Sequence, residues 1–148
     1  MSHHINEILF ALTDAEVEFV VGGGVAAVLH GVERVTLDID LALNMDPANV
    51  EKFLHLIYGL GLRPRVPVSF VDFDRPLRHV DIFLQHNLSF GELSRDARAV
   101  VIENRKIKII GIAKLLEIKR AISPLRDKDL IDIKELERLQ RRSESSKD

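Results

Sequence analysis

Apolar residues recur along the chain with two spacings, one typical of helices and one typical of strands. Residues 5–12 repeat apolar positions every three or four residues, which predicts an amphipathic helix. A mostly apolar run over 17–21 then predicts a buried strand that stops at three consecutive glycines, 22–24. Helical spacing returns over 25–32. The beginning of the chain therefore predicts helix, strand, glycine turn and helix.

The next segment predicts a strand whose two faces differ. Between Leu37 and Leu43, apolar residues alternate with Asp38, Asp40 and Ala42. Successive side chains of a strand point to opposite sides of the sheet. One face of this strand is therefore expected to join the core, and the other face is acidic.

The rest of the pattern predicts more helices and strands. In chain order we expect a helix over 47–60, a loop or irregular edge strand over 63–76, a strand over 80–84, a hairpin of strands 99–102 and 106–110, and two helices split at 123–124. The polar residues 141–148 predict a disordered tail. We therefore expect a single domain over 1–140.

Composition narrows the possible functions. The chain has 148 residues, 46% of them hydrophobic, which suits one globular domain, and its formal net charge of -2 gives no general attraction to nucleic acid or membrane. It contains no cysteine, which excludes disulfides and thiolate metal sites. No apolar run approaches the roughly 18 residues of a membrane span, and no signal peptide is evident. A soluble, cytoplasmic protein without membrane contacts is the expectation.

Three aspartates are the main candidates for chemistry. Asp38 and Asp40 lie two residues apart on one strand, so both point to the same face, and Asp81 interrupts another apolar strand in the same way. If the two strands are neighbours, the three carboxylates meet, and they are hard oxygen ligands suited to Mg²⁺ or Mn²⁺ held together with substrate phosphates. For the Asp38 and Asp40 pair alone, a solvated strand face is the competing interpretation.

The glycines at 22–24 are the second candidate. Glycine allows a phosphate to approach the backbone closely, and the helix that follows would present free N–H groups and the positive end of its dipole. An ordinary turn explains a glycine triplet equally well. The functional interpretation gains weight because the acidic strand follows directly after this turn and helix.

Residues 21–41 resemble the nucleotidyltransferase superfamily, whose signature is a glycine turn, a short helix and an Asp-x-Asp strand, followed by a later strand with a third acidic residue. The most specific part is Arg34-x-Thr36-x-Asp38-x-Asp40. This version is similar to the minimal branch that includes the AbiEii-type abortive-infection toxins.

A later segment extends the resemblance. Residues 119–132 are similar to the C-terminal lysine, arginine and Lys-Asp motif of the same branch, so the matched region covers roughly 19–139. The resemblance implies an α/β (α+β) fold with a small mixed sheet, helices on one face and a C-terminal helical pair. It also implies transfer of a nucleoside monophosphate from an NTP to a hydroxyl on RNA, protein or a small molecule.

Roles for individual residues follow from the resemblance. Catalysis and binding of Mg²⁺ or Mn²⁺ fall to Asp38, Asp40 and Asp81, with Asp81 also a candidate to take the proton of the attacking hydroxyl. The implied nucleotide-binding residues are Gly22, Gly23, Gly24, Arg34, Thr36, Lys119, Arg126 and Lys128. Independently of the resemblance, Asp129 and Asp132 lie one helical turn apart, and pairing with Arg126 or Lys128 is one interpretation of that spacing. A cognate antitoxin or second subunit is a further expected partner.

One departure from the family pattern bears on activity. Many active members place Ser or Thr just after the paired glycines, where this chain has Gly24 and Val25. A binding module of the same fold, which holds a nucleotide or partner protein without turnover, is therefore the alternative function. A third interpretation, a metal hydrolase centred on His79 and Asp81, rests on their His-x-Asp spacing.

Overall fold

The computed structural model describes residues 3–65, 68–83 and 89–145. Leu84, the expected end of one strand, and 146–148, the end of the expected tail, lie outside the described residues. The helices are α1 His3–Asp14, α2 Gly23–His30, α3 Pro47–Gly59, α4 Phe90–Arg95, α5 Ile112–Arg120 and α6 Asp127–Ser145. The strands are β1 Phe19–Gly22, β2 Ile39–Leu43, β3 Arg63–Arg65, β4 Ser69–Val71, β5 His79–Ile82, β6 Arg98–Ile102 and β7 Arg105–Ile109.

Across the described residues, the strands form one mixed, mostly antiparallel sheet in the order β3-β4-β5-β2-β1-β7-β6. The central strand β2 pairs antiparallel with β1 and parallel with β5. The expected α/β fold, with a mixed sheet and a C-terminal pair of helices formed by α5 and α6, is confirmed. None of the helices in the described ranges has the length and apolar character needed to span a membrane.

The core follows the apolar spacing of the sequence. The apolar stripe of α1 is fully buried, all four residues of β1 are buried, and Ile39, Leu41 and Leu43 turn the core face of β2 inward. Each fully buried leucine or isoleucine contributes about 1.5–3 kcal/mol relative to an exposed one. Of the alternate residues of β2, Ala42 is also buried in the core, whereas Asp40 is partly exposed and can contribute to a polar site.

Several boundaries differ from those expected. The strand predicted from Leu37 begins at Ile39, because β1 ends at Gly22, whose partner is Asp40, and the pairing with β5 starts at Ile39. The segment 63–76 contains two short strands, β3 and β4, and α4 was not predicted. Helix α6 continues to Ser145, beyond the start of the expected tail at 141.

A buried ion pair anchors the beginning of β5. The Nη1 atom of Arg78 lies 2.6 Å from Oδ2 of Asp72 and also donates a hydrogen bond of 2.8 Å to the carbonyl of Leu60. The Nη2 atom of Arg78 lies 3.0 Å from Oε1 of Glu7 in α1. These contacts fix the strand that carries His79 and Asp81.

Candidate active site

The structure brings the three predicted carboxylates to one place on the sheet. Asp40 of β2 and Asp81 of β5 are direct partners in the parallel register. Asp38 lies just before β2, with 58% of its side chain exposed. The prediction that the two acidic strands are neighbours is confirmed, although Asp38 stands outside the strand.

His79 and Ser69 hold two of these carboxylates. His79 Nδ1 lies 3.2 Å from Asp38 Oδ1, and His79 Nε2 lies 2.9 Å from Asp81 Oδ1, the second contact without hydrogen-bond alignment. The hydroxyl of Ser69 in β4 donates to the same oxygen of Asp81. Within the described ranges, no three histidine or acidic side chains converge on one metal position. Asp38 and Asp81 are therefore held by partners of their own and do not form a preformed cage with Asp40.

Asp40 is the electrostatically strained member of the group. Burial, followed by the nearby carboxylates of Asp81 and Asp38, raises the pKa of Asp40 to about 6, and the positive charge of Lys119 acts in the opposite direction. Burial and like charges both disfavour an ionised carboxylate. A divalent cation would offset this repulsion, so the donor set fits Mg²⁺ or Mn²⁺ in its chemistry.

Two glycines permit the close approach of β1, α2 and the acidic strand. Gly23 has a φ of 57°, a conformation that favours glycine, and a Cβ at this position would lie 2.1 Å from Oδ2 of Asp40. Gly22 ends β1, and a Cβ there would meet the side chains of Phe83 and Ile110. The helix α2 therefore begins immediately beside Asp40, with its first N–H groups next to the acidic cluster.

The space above Gly24 is already filled by polar groups. A Cβ on Gly24 would lie 2.5 Å from Nη2 of Arg34 and 2.7 Å from Oγ1 of Thr36. Val25, the other position where related sequences carry Ser or Thr, is fully buried in the core. The hydroxyl beside the beginning of α2 therefore comes from Thr36, two residues before Asp38, and not from the helix itself.

The basic residues are oriented by carboxylates of α6. Arg34 donates to Asp132 through Nε at 2.7 Å and Nη2 at 2.9 Å, and Lys119 Nζ lies 2.9 Å from the same carboxylate. Asp132 therefore pairs with Arg34 and Lys119, and not with Arg126 or Lys128 as its spacing also allowed, because the buried face of α6 turns it toward α5 and the segment before β2.

The expected pairing of Asp129 with Arg126 is confirmed. Arg126 Nε donates to Asp129 Oδ2 at 2.8 Å, and Nη2 donates to Oδ1 at 3.1 Å. The Arg126 guanidinium holds the pKa of the Asp129 carboxyl below its usual value. Sequence reasoning missed the full burial of both aspartates, although their spacing from Leu136 on one helical face was a usable signal.

The three carboxylates and the basic side chains of Arg34, Lys119 and Arg126 line one cavity of about 470 Å³, within the range of small-molecule sites. Every predicted site residue except Gly22 lines it. The polar lining residues are Gly23, Gly24, Arg34, Thr36, Asp38, Asp40, Asp81, Lys119, Arg126, Lys128 and Asp129, and the apolar wall includes Phe83, Ile110, Leu115, Ile118 and Ile122. The cavity therefore has an acidic end and a basic end, with the beginning of α2 between them.

Solved structures share this architecture. The lincosamide antibiotic adenylyltransferase LnuA, solved with lincomycin bound, superposes with a TM-score of 0.70 at 17% identity, covering 94% of this chain and 98% of that one. ANT(2")-Ia in complex with adenylyl-2"-tobramycin gives a TM-score of 0.57 at 17% identity, covering 97% of both chains. The chain has the nucleotidyltransferase fold.

A third nucleotidyltransferase-fold neighbour is an antigenic nucleotidyltransferase-like protein from Paracoccidioides brasiliensis, with a TM-score of 0.60 at 15% identity over 90% of this chain and 74% of that one. No protein-family model and no curated protein sequence matches the chain. At these identities the likeness establishes the fold, and the chemistry must be argued from the residues in the cavity.

Proposed function

We propose that the protein transfers a nucleoside monophosphate from an NTP to a hydroxyl group of an acceptor. The observation that carries this proposal is a single cavity that joins the Asp38, Asp40 and Asp81 carboxylates to Arg34 and Lys119 beside the first turn of α2. A triphosphate is complementary to this arrangement, because its phosphates need cations and free backbone N–H groups. The nucleotidyltransferase fold supports the same reaction class.

Mg²⁺ or Mn²⁺, held by Asp38, Asp40 and Asp81, would supply the positive charge that draws the triphosphate to the acidic end and polarises its α phosphate. The acceptor oxygen forms a bond to the α phosphorus, and the bond to the bridging oxygen breaks to release pyrophosphate. Asp81 accepts the proton of the attacking hydroxyl. Its Oδ1 is occupied by Ser69 and His79, which leaves Oδ2 for this role.

The basic end of the cavity stabilises the leaving group. Negative charge develops on the pyrophosphate as the bond breaks, and fixed cations in a sheltered site stabilise such charge strongly. Arg34 suits this role because its guanidinium binds phosphate oxygens in pairs. Lys119 is only 5% exposed, so its ammonium is held at the cavity wall.

Thr36 is expected to contact the triphosphate through its hydroxyl. Thr36→Val keeps the shape of the side chain and removes the donor, so transfer should fall about tenfold, whereas Thr36→Ser should retain most activity. The initial rate of transfer at saturating NTP measures this. Equal activity of the Val variant and the wild type would remove Thr36 from the site.

The acceptor and the biological setting belong to the same proposal. We propose a hydroxyl on RNA, protein or a small molecule, and a toxin with a cognate antitoxin or second subunit, as the AbiEii resemblance suggests. The apolar wall formed by residues such as Phe83 and Ile118 gives the acceptor or the base a surface to pack against.

The direct test is incubation of the purified protein with each α-labelled NTP, Mg²⁺ or Mn²⁺, and total cell RNA, total protein and a small-molecule fraction in separate reactions. The double variant Asp38→Asn, Asp40→Asn is the control. Label that the wild type transfers and the double variant does not would support the enzyme and identify its acceptor class. Metal-dependent NTP binding without transfer to any fraction would instead support the binding module.

A further inference from the structure

Asp132 is a charged residue buried without access to solvent. Its side chain is 0% exposed, and it lies on α6 in the interior of the protein. Burying an isolated carboxylate is costly, so such a group is retained only with strong partners. Asp132 has two such partners, which supply three donor atoms: Nε and Nη2 of Arg34 and Nζ of Lys119 contact its two oxygens.

The two cations that Asp132 holds come from different parts of the fold and face the same cavity. Arg34 lies between α2 and β2, and Lys119 lies near the end of α5. Both line the cavity, whereas Asp132 does not. The carboxylate therefore stands behind the two cations and positions their charges without itself meeting a ligand.

Both cations keep hydrogen-bond donors for a ligand. Arginine has five N–H donors, and Arg34 uses three of them, two on Asp132 and one from Nη1 to the carbonyl of Val35 at 3.1 Å. Lysine has three donors, and Lys119 uses one on Asp132. Nη2 of Arg34 lies directly above Gly24, beside the first turn of α2, and both Arg34 and Lys119 line the cavity.

We propose that Asp132 is a positioning residue for nucleotide binding, which fixes Arg34 and Lys119 in the arrangement that receives the triphosphate. This role rests on the proposed function. Free arginine and lysine side chains are among those that lose the most rotamer entropy when they are immobilised. Asp132 meets that cost during folding, so the nucleotide binds cations that are already ordered.

A purely structural role for Asp132, a tie between α5 and α6, makes a different prediction. The same two helices are also linked by Arg120 Nη2 and Glu137 Oε1 at 3.1 Å, on the surface. Glu137→Gln removes that tie without touching the cavity and is therefore the matched control. If Asp132 were only a tie, its loss would lower the melting temperature without a specific effect on nucleotide affinity.

The experiment measures ATP, GTP, CTP and UTP binding by calorimetry in Mg²⁺, with the full chain at a temperature where each variant is folded. Asp132→Asn should raise the Kd of the best-bound nucleotide at least about tenfold, and Glu137→Gln should leave it within about twofold. In an Arg34→Gln, Lys119→Gln background, Asp132→Asn should change the Kd less than about threefold, because its effect passes through those cations.

A second measurement reads the contact without nucleotide. The Nε–H group of Arg34, observed by ¹⁵N NMR, should exchange slowly with solvent in the wild type and rapidly in Asp132→Asn. If Asp132→Asn does not fold, Asp132→Glu keeps the charge and displaces the carboxylate by one methylene, and the same rise in Kd is expected.

The outcomes separate the two proposals. The positioning role alone would be overturned if Asp132→Asn left the Kd of the wild-type protein unchanged. It would also be overturned if Asp132→Asn raised the Kd by the same factor in the Arg34→Gln, Lys119→Gln background as in the wild type. A wild-type protein that binds none of the four nucleotides would overturn the proposed function, and the role of Asp132 with it.

Discussion

Asp40→Asn is expected to stabilise the metal-free protein while reducing nucleotidyl transfer at least about 10³-fold. Asparagine keeps the shape of the side chain and removes a charge that burial, Asp81 and Asp38 all disfavour. Relief of this repulsion should raise the free energy of unfolding by about 1–3 kcal/mol. Transfer should fail because the acidic end of the cavity loses a central carboxylate.

The measurement is a denaturant titration in EDTA beside the labelled-NTP assay in Mg²⁺. Glu51→Gln, an exposed carboxylate of α3, is the control and should change neither property appreciably. A marked loss of stability in Asp40→Asn would show that the aspartates hold the fold together, and it would remove the electrostatic argument for a metal.

Asp40 also makes the stability of the metal-free protein depend on pH, with lower stability at higher pH. The folded pKa of Asp40, about 6, lies above the ordinary value of 3.8, so the fold favours the neutral acid. Ionisation of Asp40 therefore lowers the free energy of unfolding. This loss is absent below about pH 4, develops between pH 4 and 6, and is fully present above pH 6. In EDTA, the stability difference between Asp40→Asn and wild type should therefore shrink as pH falls from 7.5 to 4.5. A difference that stays constant would contradict the raised pKa.

Gly23→Ala is expected to damage both the fold and the site. A Cβ would lie 2.1 Å from Oδ2 of Asp40, and the φ of 57° is unfavourable for alanine, so either α2 or β2 must move. A loss of about 2–4 kcal/mol in stability and about 10²-fold in transfer is expected, because small displacements of reacting groups are costly.

Gly59→Ala is the matched control for this change. Gly59 ends α3, and a Cβ there would meet nothing within 4 Å. Alanine at that position should be neutral or slightly stabilising. Melting curves and transfer rates of the two variants make the comparison, and equal behaviour would mean that the contact between Gly23 and Asp40 is not tight in solution.

The acidic part of the site could be predicted because its signal is local. The period-two pattern around Asp38 and Asp40 and the isolated Asp81 in an apolar strand both identify outward-facing carboxylates. Their meeting required only that β2 and β5 be neighbours, which the register of Asp40 with Asp81 confirms. Family resemblance supplied the reason to expect that neighbourhood.

The basic part of the site could be predicted only in its residue types. Arg34 and Lys119 were candidates, but their common partner Asp132 was not foreseen. The helical spacing of Leu130, Ile133 and Leu136 predicts an apolar buried face for the last helix. In the structure Leu130 is 51% exposed, and the buried face begins with Asp129 and Asp132. The ion pairs of Asp132 with Arg34 and Lys119 join residues of different elements, and their long sequence separation leaves no local pattern.

The contact of Ser69 with Asp81 could not be predicted from the sequence for a related reason. Ser69 lies on β4, in a segment interrupted by prolines where a loop or irregular strand was expected. Only the antiparallel pairing of β4 with β5 brings Ser69 opposite Asp81. A contact between side chains of two strands can be predicted only when the register of those strands is known.

The contact between Arg34 and Asp132 spans 98 positions of the chain, and this has a consequence during synthesis. Ribosomes add about 5–20 residues per second, so about 5–20 seconds separate the addition of the arginine from that of its carboxylate partner. In the later part of this interval, once β2 and β5 have been added, the nascent chain carries the glycine turn and the acidic strands without the carboxylate that orders the cations. Nucleotide affinity should therefore arise late, as the last helix leaves the ribosome and docks, and truncated translation products should lack it.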